Sequence, residues 1–305
     1  MRFSIIIPVF NVKQYLRDCL DSVLVQTFGD WEVLCIDDGS TDGSADILRE
    51  YAAKDSRIKV IAQKNAGTAA ARNAGLKASK GDYIFFLDSD DWIESKALQT
   101  LNSQFSILNA RLDVLCFSGQ RYIEATGEYR PADILHEKYY SSGMDYYNEN
   151  ALLARDFAFV CVVLRVYRRE FLLSHQLYFA EDNTYEDNLW VPIMLHHADT
   201  VNVIPDSLYL YRFREGSKMH SNSLARKKDL LEVANRLARY FIPQQSFDKT
   251  TVYRSITHHY QVPFDTATKE ERKELKKLCG WSLYKTVSRT KLRHRINYWK
   301  NKIFL

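Results

Sequence analysis

Apolar runs that break abruptly into acids or a Pro-Asn turn recur along the first third of the chain. Phe3-Ser4-Ile5-Ile6-Ile7-Pro8-Val9-Phe10-Asn11 is nearly continuous in apolar residues and reads as a buried parallel strand ending in a turn. Tyr15, Leu16, Cys19, Leu20, Val23 and Leu24 then recur at spacings of three and four, which predicts a helix over 12–28 with one apolar stripe. Trp31 to Ile36 rises as a second strand and breaks into Asp37-Asp38-Gly39-Ser40-Thr41-Asp42-Gly43-Ser44, with Ser44 placed to cap a helix over 45–54. A short strand at Ile58 to Ile61 precedes a Gly-hinged turn and an Ala-rich helix at Asn65 to Leu76. The run Tyr83-Ile84-Phe85-Phe86-Leu87 then breaks into Asp88-Ser89-Asp90. Strand and helix alternate throughout, which predicts right-handed βαβ units and an α/β fold with a mostly parallel central sheet flanked by helices.

A parallel sheet sets all its carboxyl ends on one rim, so Pro8 to Asn11, Asp37-Asp38 and Asp88-Ser89-Asp90 are expected to face one crevice. Two carboxylates at i and i+2 on such a rim offer hard oxygens through which Mg2+ or Mn2+ could bridge a diphosphate. The commoner fate of an isolated Asp-x-Asp is to end a strand and cap the next helix.

The ordered set Ile-Ile-Pro-Val-Phe-Asn, Gln26-Thr27-Phe28, Asp37-Asp38-Gly39-Ser40-Thr41-Asp42, Ala71-Arg72-Asn73-Ala74-Gly75 and Leu87-Asp88-Ser89-Asp90-Asp91 closely resembles the family 2 glycosyltransferases of the GT-A fold, of bacterial surface-polysaccharide type. The resemblance covers about residues 3–100 and continues more weakly to about 217. It implies that Pro8, Val9 and Phe10 pack beside the base and ribose of a nucleotide and that Asp38 reads the base. An ionised carboxylate accepts strongly, as a uracil imino N–H requires. Arg72 matches the arginine that approaches the nucleotide or its phosphates, a target suited to a guanidinium fork. Asp88, with Ser89 beside it, resembles the ribose-side acid, and Asp90 the direct metal ligand. The competing readings are a turn or cap residue for Asp38 and a surface ion pair for Arg72.

In the second half, Glu186-Asp187 precedes an apolar helix, Leu189 to His197, and resembles the motif that supplies the catalytic base. An inverting transfer needs one carboxylate to take the acceptor hydroxyl proton; the motif makes Asp187 the first choice and Glu186 its neighbour and understudy. A carboxylate at a helix N-terminus also serves simply to satisfy the helix dipole. After a strand-like Val201 to Ile204 comes Leu208-Tyr209-Leu210-Tyr211-Arg212-Phe213-Arg214, resembling the segment whose basic residues approach the departing diphosphate. On a strand Arg212 and Arg214 share one face; the competing reading is a solvated basic face. His220, just beyond, could complete a metal site, although a lone His is more often surface. Arg121 to Met144 has no clear period and reads as a loop or insertion over the acceptor side; Val160 to Arg169 reads as a strand running to a helix at 170–174.

At 305 residues and 46% apolar the chain can bury a sizeable core. The division expected is a GT-A catalytic domain over 1–217, with nucleotide-binding and acceptor halves at 1–110 and 111–217, and a helical C-terminal region over 218–305. The net charge of +4 conceals an asymmetry: residues 275–305 carry nine Lys or Arg and no Asp or Glu. With Trp281, Leu283, Tyr284, Val287, Leu292, Ile296, Tyr298, Trp299, Ile303 and Phe304 interleaved, this tail reads as a peripheral contact with an anionic membrane face. Packing on its own domain is the alternative, and nucleic acid is the least favoured partner. No run approaches the roughly 20 apolar residues that span a bilayer. Five cysteines without metal-ligand spacing read as reduced core thiols, and Met1-Arg2 leads directly into the first strand with no signal peptide, so a cytoplasmic location is expected.

A Rossmann dehydrogenase is excluded, because Pro8-Val9-Phe10-Asn11 stands where a dinucleotide requires Gly-x-Gly-x-x-Gly. The expected activity is metal-dependent, inverting transfer of a hexose from a nucleoside diphosphate sugar, most consistently a UDP-sugar, to a glycan or polyprenyl-linked acceptor, with Mn2+ or Mg2+ as cofactor. The non-enzymatic alternative, a nucleotide-sugar-binding scaffold subunit, would keep the nucleotide residues but need no base.

Overall fold

A computed structural model describes residues 2–107, 112–131, 136–151, 160–214, 223–245 and 248–288. The first strand, β1 (Phe3–Val9), is buried along its whole length, as is β2 (Trp31–Asp37), and the two pair in parallel from Phe3↔Trp31 to Val9↔Asp37. Between them α1 (Leu16–Leu24) is shorter than the apolar periodicity predicts. Its approach is tied elsewhere: the amides of Val12 and Lys13 donate to Ser44 Oγ and Asp42 Oδ2, and Asn11 takes a left-handed φ of 52°. After α2 (Ser44–Lys54), β3 (Ile58–Ala62) adds to the edge of β2, and α3 (Thr68–Ala78) returns the chain to β4 (Tyr83–Phe86) on the other side of β1. The predicted cap of α2 is corrected: Asp42 Oδ1 accepts from the Ser44 amide at 2.9 Å, while the Ser44 hydroxyl donates back to Asp42 and receives Val12.

Pro8 sits inside a strand without breaking its ladder. The Ile6 carbonyl receives Leu87, so alternate residues of β1 turn toward β4, and β4 pairs only as far as Ile6↔Phe86. Pro8, two residues on, lies beyond the last register pair of β1 and β4, where its missing N–H interrupts no pairing of the two strands.

Beyond β4 the chain crosses to the far side of the sheet as β5 (Trp92–Ile93), followed by α4 (Ala97–Ile107) and β6 (Val114–Ile123). The stretch expected to be a loop or insertion instead turns back on β6 as the antiparallel strand β7 (Glu128–Pro131), then supplies β8 (Lys138–Tyr140) and α5 (Gly143–Asn150). Its polar, aromatic composition comes from exposed edge strands, whose period is masked when both faces are partly wet. A 3-10 turn at Val162–Leu164 leads into β9 (Arg165–Arg168) and α6 (Arg169–Ser174); α7 (Glu186–His197) and the long β10 (Val201–Phe213) complete the sheet. The two strand segments expected around 201–217 are one strand, with a register shift between Val203 and Ser207, where Pro205 cannot donate.

The order is β3-β2-β1-β4-β9-β6-β10-β5, parallel across the first four strands and mixed beyond. Because β9 is antiparallel to both β4 and β6, β6 regains the direction of β4, and β10 runs parallel to β6. The ends of β1, β2, β4, β6 and β10 thus share one rim.

Among the described residues four helices follow: α8 (Leu224–Phe241), α9 (Thr250–Asp265), α10 (Lys269–Leu278), which starts with a capping box from Thr268 and Glu271, and α11 (Trp281–Val287). Asn235 of α8 ties them, accepting from Tyr260 Oη at 2.8 Å and the Gly280 amide at 3.0 Å and donating to the Leu278 carbonyl. The start of the basic tail packs inward rather than outward. Tyr284 stacks on Tyr260 with 4.9 Å between rings, Val287 is fully buried and Trp281 and Leu283 lie partly buried against the same core. Leu292, Ile296, Tyr298, Trp299, Ile303 and Phe304 fall outside the described residues. Among the described residues no helix is long and apolar enough to cross a membrane, and all five cysteines are free and buried.

Gly75 sets how closely α3 lies on the sheet, since a Cβ there would meet Ile6 Cγ2 at 2.3 Å. Gly75→Ala is expected to cost about 1–3 kcal/mol and lower the melting temperature; an unchanged melting curve would mean that helix and strand separate freely.

Candidate active site

The site grows from the rim. Val9 is fully buried and its carbonyl accepts the Asp38 amide at 2.9 Å; Pro8 is buried behind it, and Phe10 stands 41% exposed at the edge. Asp38 is turned into the fold. Its Oδ1 accepts from Gln63 Nε2 and the Ala66 amide, and its Oδ2 from the Gly67 amide, each at 2.8 Å. It therefore shapes the turn, with Gly67 at φ 92°, from which α3 starts. Oδ2, with one partner, retains acceptor capacity.

Arg72, on the first turns of α3, is the centre of the constellation. Its guanidinium donates to Asp88 Oδ1 at 2.9 Å, to Glu186 Oε1 at 3.0 Å and to Asp187 Oδ1 at 2.8 Å, with the Phe179 ring 5.4 Å away. One buried side chain thus joins the acid after β4 to the acids that begin α7, residues nearly a hundred positions apart. Burial works against the Arg72 charge, but Asp187, Asp88 and Glu186 outweigh it and hold the group protonated. Three acids around one cation leave negative charge uncompensated. Burial, reinforced by the charge of Asp187, pushes Glu186 up to about 7. Asp187 is raised first by burial and also by Asp88, against the pull of Arg72. The side chains of Glu186 and Asp187 keep 15% and 22% of their surface open.

The acids after β4 divide their partners. Asp88 goes to Arg72. Asp90 receives Arg214 Nη2 at 2.8 Å, and Arg212 Nε donates to its carbonyl at 2.9 Å. Asp90 is raised by burial and then by its neighbour Asp88, with Arg214 opposing, and its carboxylate is a partly covered ion pair. Asp91, which the sequence reading left without a role, is 1% exposed and accepts from Tyr209 Oη at 2.6 Å and the Arg212 amide at 2.7 Å. It fixes the crossing segment to β10. Ser89 is buried.

Arg212 and Arg214 do share a face, both lying over the Tyr15 ring at 4.8 and 4.6 Å. Their surroundings differ. Arg212 is 9% exposed and also bonds Asp18 Oδ2 at 2.7 Å, whereas Arg214 lies nearer the open rim at 32%. His220 lies outside the described residues. Asn73 is a further positioning residue: its side chain brackets Phe179, donating to the carbonyl and accepting from the amide, and so fixes the segment leading to α7. Its place beside Arg72 was the available signal; nothing in the sequence marked Asp18.

Asp88 and Asp90 offer hard oxygens at the rim, 33% and 28% open, and the strain of like charge on Asp90 is one that a cation relieves. These residues fit Mg2+ or Mn2+. Among the described residues no group of three or more His, Cys, Asp or Glu forms a closed cage, so the remaining ligands would come from diphosphate and water.

The family model described as Glycosyl transferase family 2 matches residues 4–174. Among curated relatives, "Glycosyltransferase GlyA" of Streptococcus pneumoniae is 35% identical over 71% of this chain, and "Glycosyltransferase GlyG" of the same organism 30% identical over 76%. The chain spans 31% of the length of the former and 78% of the latter. A crystal structure of S. aureus TarS in complex with UDP superposes with a TM-score of 0.72 at 19% identity, covering 99% of this chain and 89% of that one, a likeness of fold.

Because Glu186 is raised, its protonation favours the folded state: that stability is complete below about 4.5, the ordinary value, and is lost as pH rises through about 7. Glu186→Gln is expected to melt higher than the parent at pH 8, with the difference shrinking toward pH 4.5; a pH-independent difference would count against the raised value.

Proposed function

The chain belongs to glycosyl transferase family 2, and on that premise we propose that it is an inverting, metal-assisted hexosyltransferase that uses a UDP-sugar to extend a surface glycan or lipid-linked glycan. The observation that carries the reading is the Arg72 bridge. It sets the acids after β4, suited to a donor, within one guanidinium's reach of the acids that begin α7, suited to an acceptor. A scaffold that only held nucleotide would have no use for the second pair.

In this reading the donor diphosphate lies along the rim from Phe10 and the turn shaped by Asp38 toward Asp88 and Asp90. The co-crystallised UDP of the TarS structure supports UDP as the nucleotide, and an acceptor capacity left on Asp38 suits the imino N–H of uracil. When bound at Asp90, Mg2+ or Mn2+ supplies positive charge to the leaving diphosphate. Arg214, the more open of the two rim arginines, is suited to approach the same phosphates. Asp187 takes the proton of the acceptor hydroxyl as that oxygen bonds to the anomeric carbon from the face opposite the diphosphate, and UDP departs with the electron pair of the broken bond. Asp187 is more open than Glu186, which favours it as the proton acceptor, while Arg72 holds both in place. The acceptor hydroxyl loses its proton to an ionised pair. The value of kcat/KM should therefore fall as pH is lowered and the two acids take up a proton, at a pH above the ordinary carboxylate range because burial raises both.

Calorimetric titration with UDP, GDP and dTDP, each with and without Mn2+, tests the donor. Metal-dependent binding of UDP alone is expected, with the metal-dependent part lost in Asp90→Ala; equal binding of all three nucleotides would defeat the assignment. Asp187→Asn should bind UDP within about twofold of the parent yet lose transfer by roughly 10²–10⁴. Transfer at the parental rate would remove Asp187 from the role of base.

A further inference from the structure

Side chains on neighbouring strands form a ladder that leads away from the acids of the crevice. Arg212 of β10 is opposite Tyr122 of β6, and Tyr122 is opposite Tyr129 of β7, so the three lie on one face of the sheet. The Tyr122 and Tyr129 rings are 5.1 Å apart at 46°, and Trp92 meets Tyr122 edge-on at 5.4 Å. Exposure grows along the ladder. Arg212 is 9% exposed, Tyr122 half-buried and Tyr129 53% exposed.

The register says where the open end points. Along β6, β10 occupies one edge throughout, β9 pairs with Val114 to Cys116 on the other, and β7 pairs with Gln120 to Ile123. β7 must therefore share the edge of β9 and continue above it, on the side of β4. The hairpin rises at the shared rim, beside the strand that ends in Asp88 and Asp90, and not at a remote edge.

The inner end is fixed. The Arg212 guanidinium has the rings of Tyr15, Trp92 and Tyr122 at 4.8, 4.6 and 5.8 Å and bonds the Asp90 carbonyl. Rings immobilised in this way lose little freedom when something stacks on them, which favours binding. An exposed Tyr by itself is ordinary. A graded aromatic strip, braced from behind by the backbone of the proposed metal-binding acid, is a surface of a definite kind: flat and apolar on its faces, with hydroxyls at its edges. A pyranose ring has the matching character, C–H bonds on its faces and hydroxyls around its rim, and aromatic faces carry the negative quadrupole that polarised C–H groups approach.

We propose that Tyr122 and Tyr129 form an acceptor subsite on which a sugar ring of the growing glycan stacks, with Arg212 as the positioning residue that registers this platform to Asp90. The proposal rests on the glycosyltransferase reading and extends it to the acceptor. Each rung is one strand spacing, about 4.8 Å, so the platform lies one and two rungs out from Arg212, which bonds the Asp90 carbonyl.

The test is binding of the full chain, with UDP and Mn2+ present, to an array of bacterial surface oligosaccharides, comparing the parent with Tyr129→Ala and with Tyr122→Leu, which keeps bulk but removes the ring. The expected result is a set of glycans held by the parent and weakened by about tenfold in both variants, with UDP affinity within twofold. Tyr129, largely exposed on a hairpin, can be truncated without harm to the core, so loss in that variant with an unchanged melting curve is specific. Glycans held equally by all three proteins, or UDP bound with no glycan held, would overturn the platform and leave the donor reading intact. No binding of UDP would overturn both.

Discussion

The guanidinium of Arg72, 3% exposed and bonded to three carboxylates, is the interaction on which the site depends. Removing one partner of a buried ion pair costs about 3–5 kcal/mol, because a charge is left without compensation. Here the cation has partners in both halves of the chain, so their closure is coupled to the satisfaction of one buried charge. The segment that supplies Arg72 is itself held at both ends, by Asp38 at the turn before the helix and by Asn73 against Phe179.

The excess of acid around that cation gives the site its chemistry. Asp88, Glu186 and Asp187 compete for Arg72, while Asp90 and Asp91 lie close enough to add their own fields. Asp91 is buried and raised well above the ordinary carboxylate range by burial, then by Asp90 and Asp88, and is met by the Tyr209 hydroxyl and a backbone amide. The rim is thus negative and incompletely neutralised, an environment suited to a cation and the diphosphate it would accompany. Arg212 belongs with the framework here: its bonds to Asp18 and the Asp90 carbonyl stitch α1, the crossing segment and β10 together.

Much of this was legible one residue at a time. Continuous apolar runs can be buried on both faces, as β1 and β2 are, and runs that stop at acids mark a strand's carboxyl end. Those strand ends put Pro8 to Asn11, Asp37-Asp38 and Asp88-Ser89-Asp90 on one rim, whereas the meeting of Asp88 and Asp187 on Arg72 was not legible. The sequence reading failed where a local preference had a tertiary competitor. Ser44 was a sound cap by type, but its hydroxyl was required by Val12, and Asp42 took its place. The β6–β7 hairpin escaped notice because half-wet edge strands show no clean alternation. The tail's aromatic residues read as membrane contacts with packing on the domain as the alternative, and Tyr284 takes the alternative, stacking on Tyr260 across a helix and two turns.

The sequence by itself determined the alternation of strand and helix and the rim on which the acids gather, since these follow from local pattern; it matched Arg72 to a nucleotide, and the bonds that make it central, to Asp88, Glu186 and Asp187, appear only in the structure. Only the tertiary structure decided which acid each cation serves. Arg212 and Arg214 are equivalent in sequence, two residues apart on one face, and a step of two residues along the same segment makes one a buried brace and the other a rim charge. Partner choice of this kind depends on distances between elements remote in the chain, and such distances exist only once the sheet has closed.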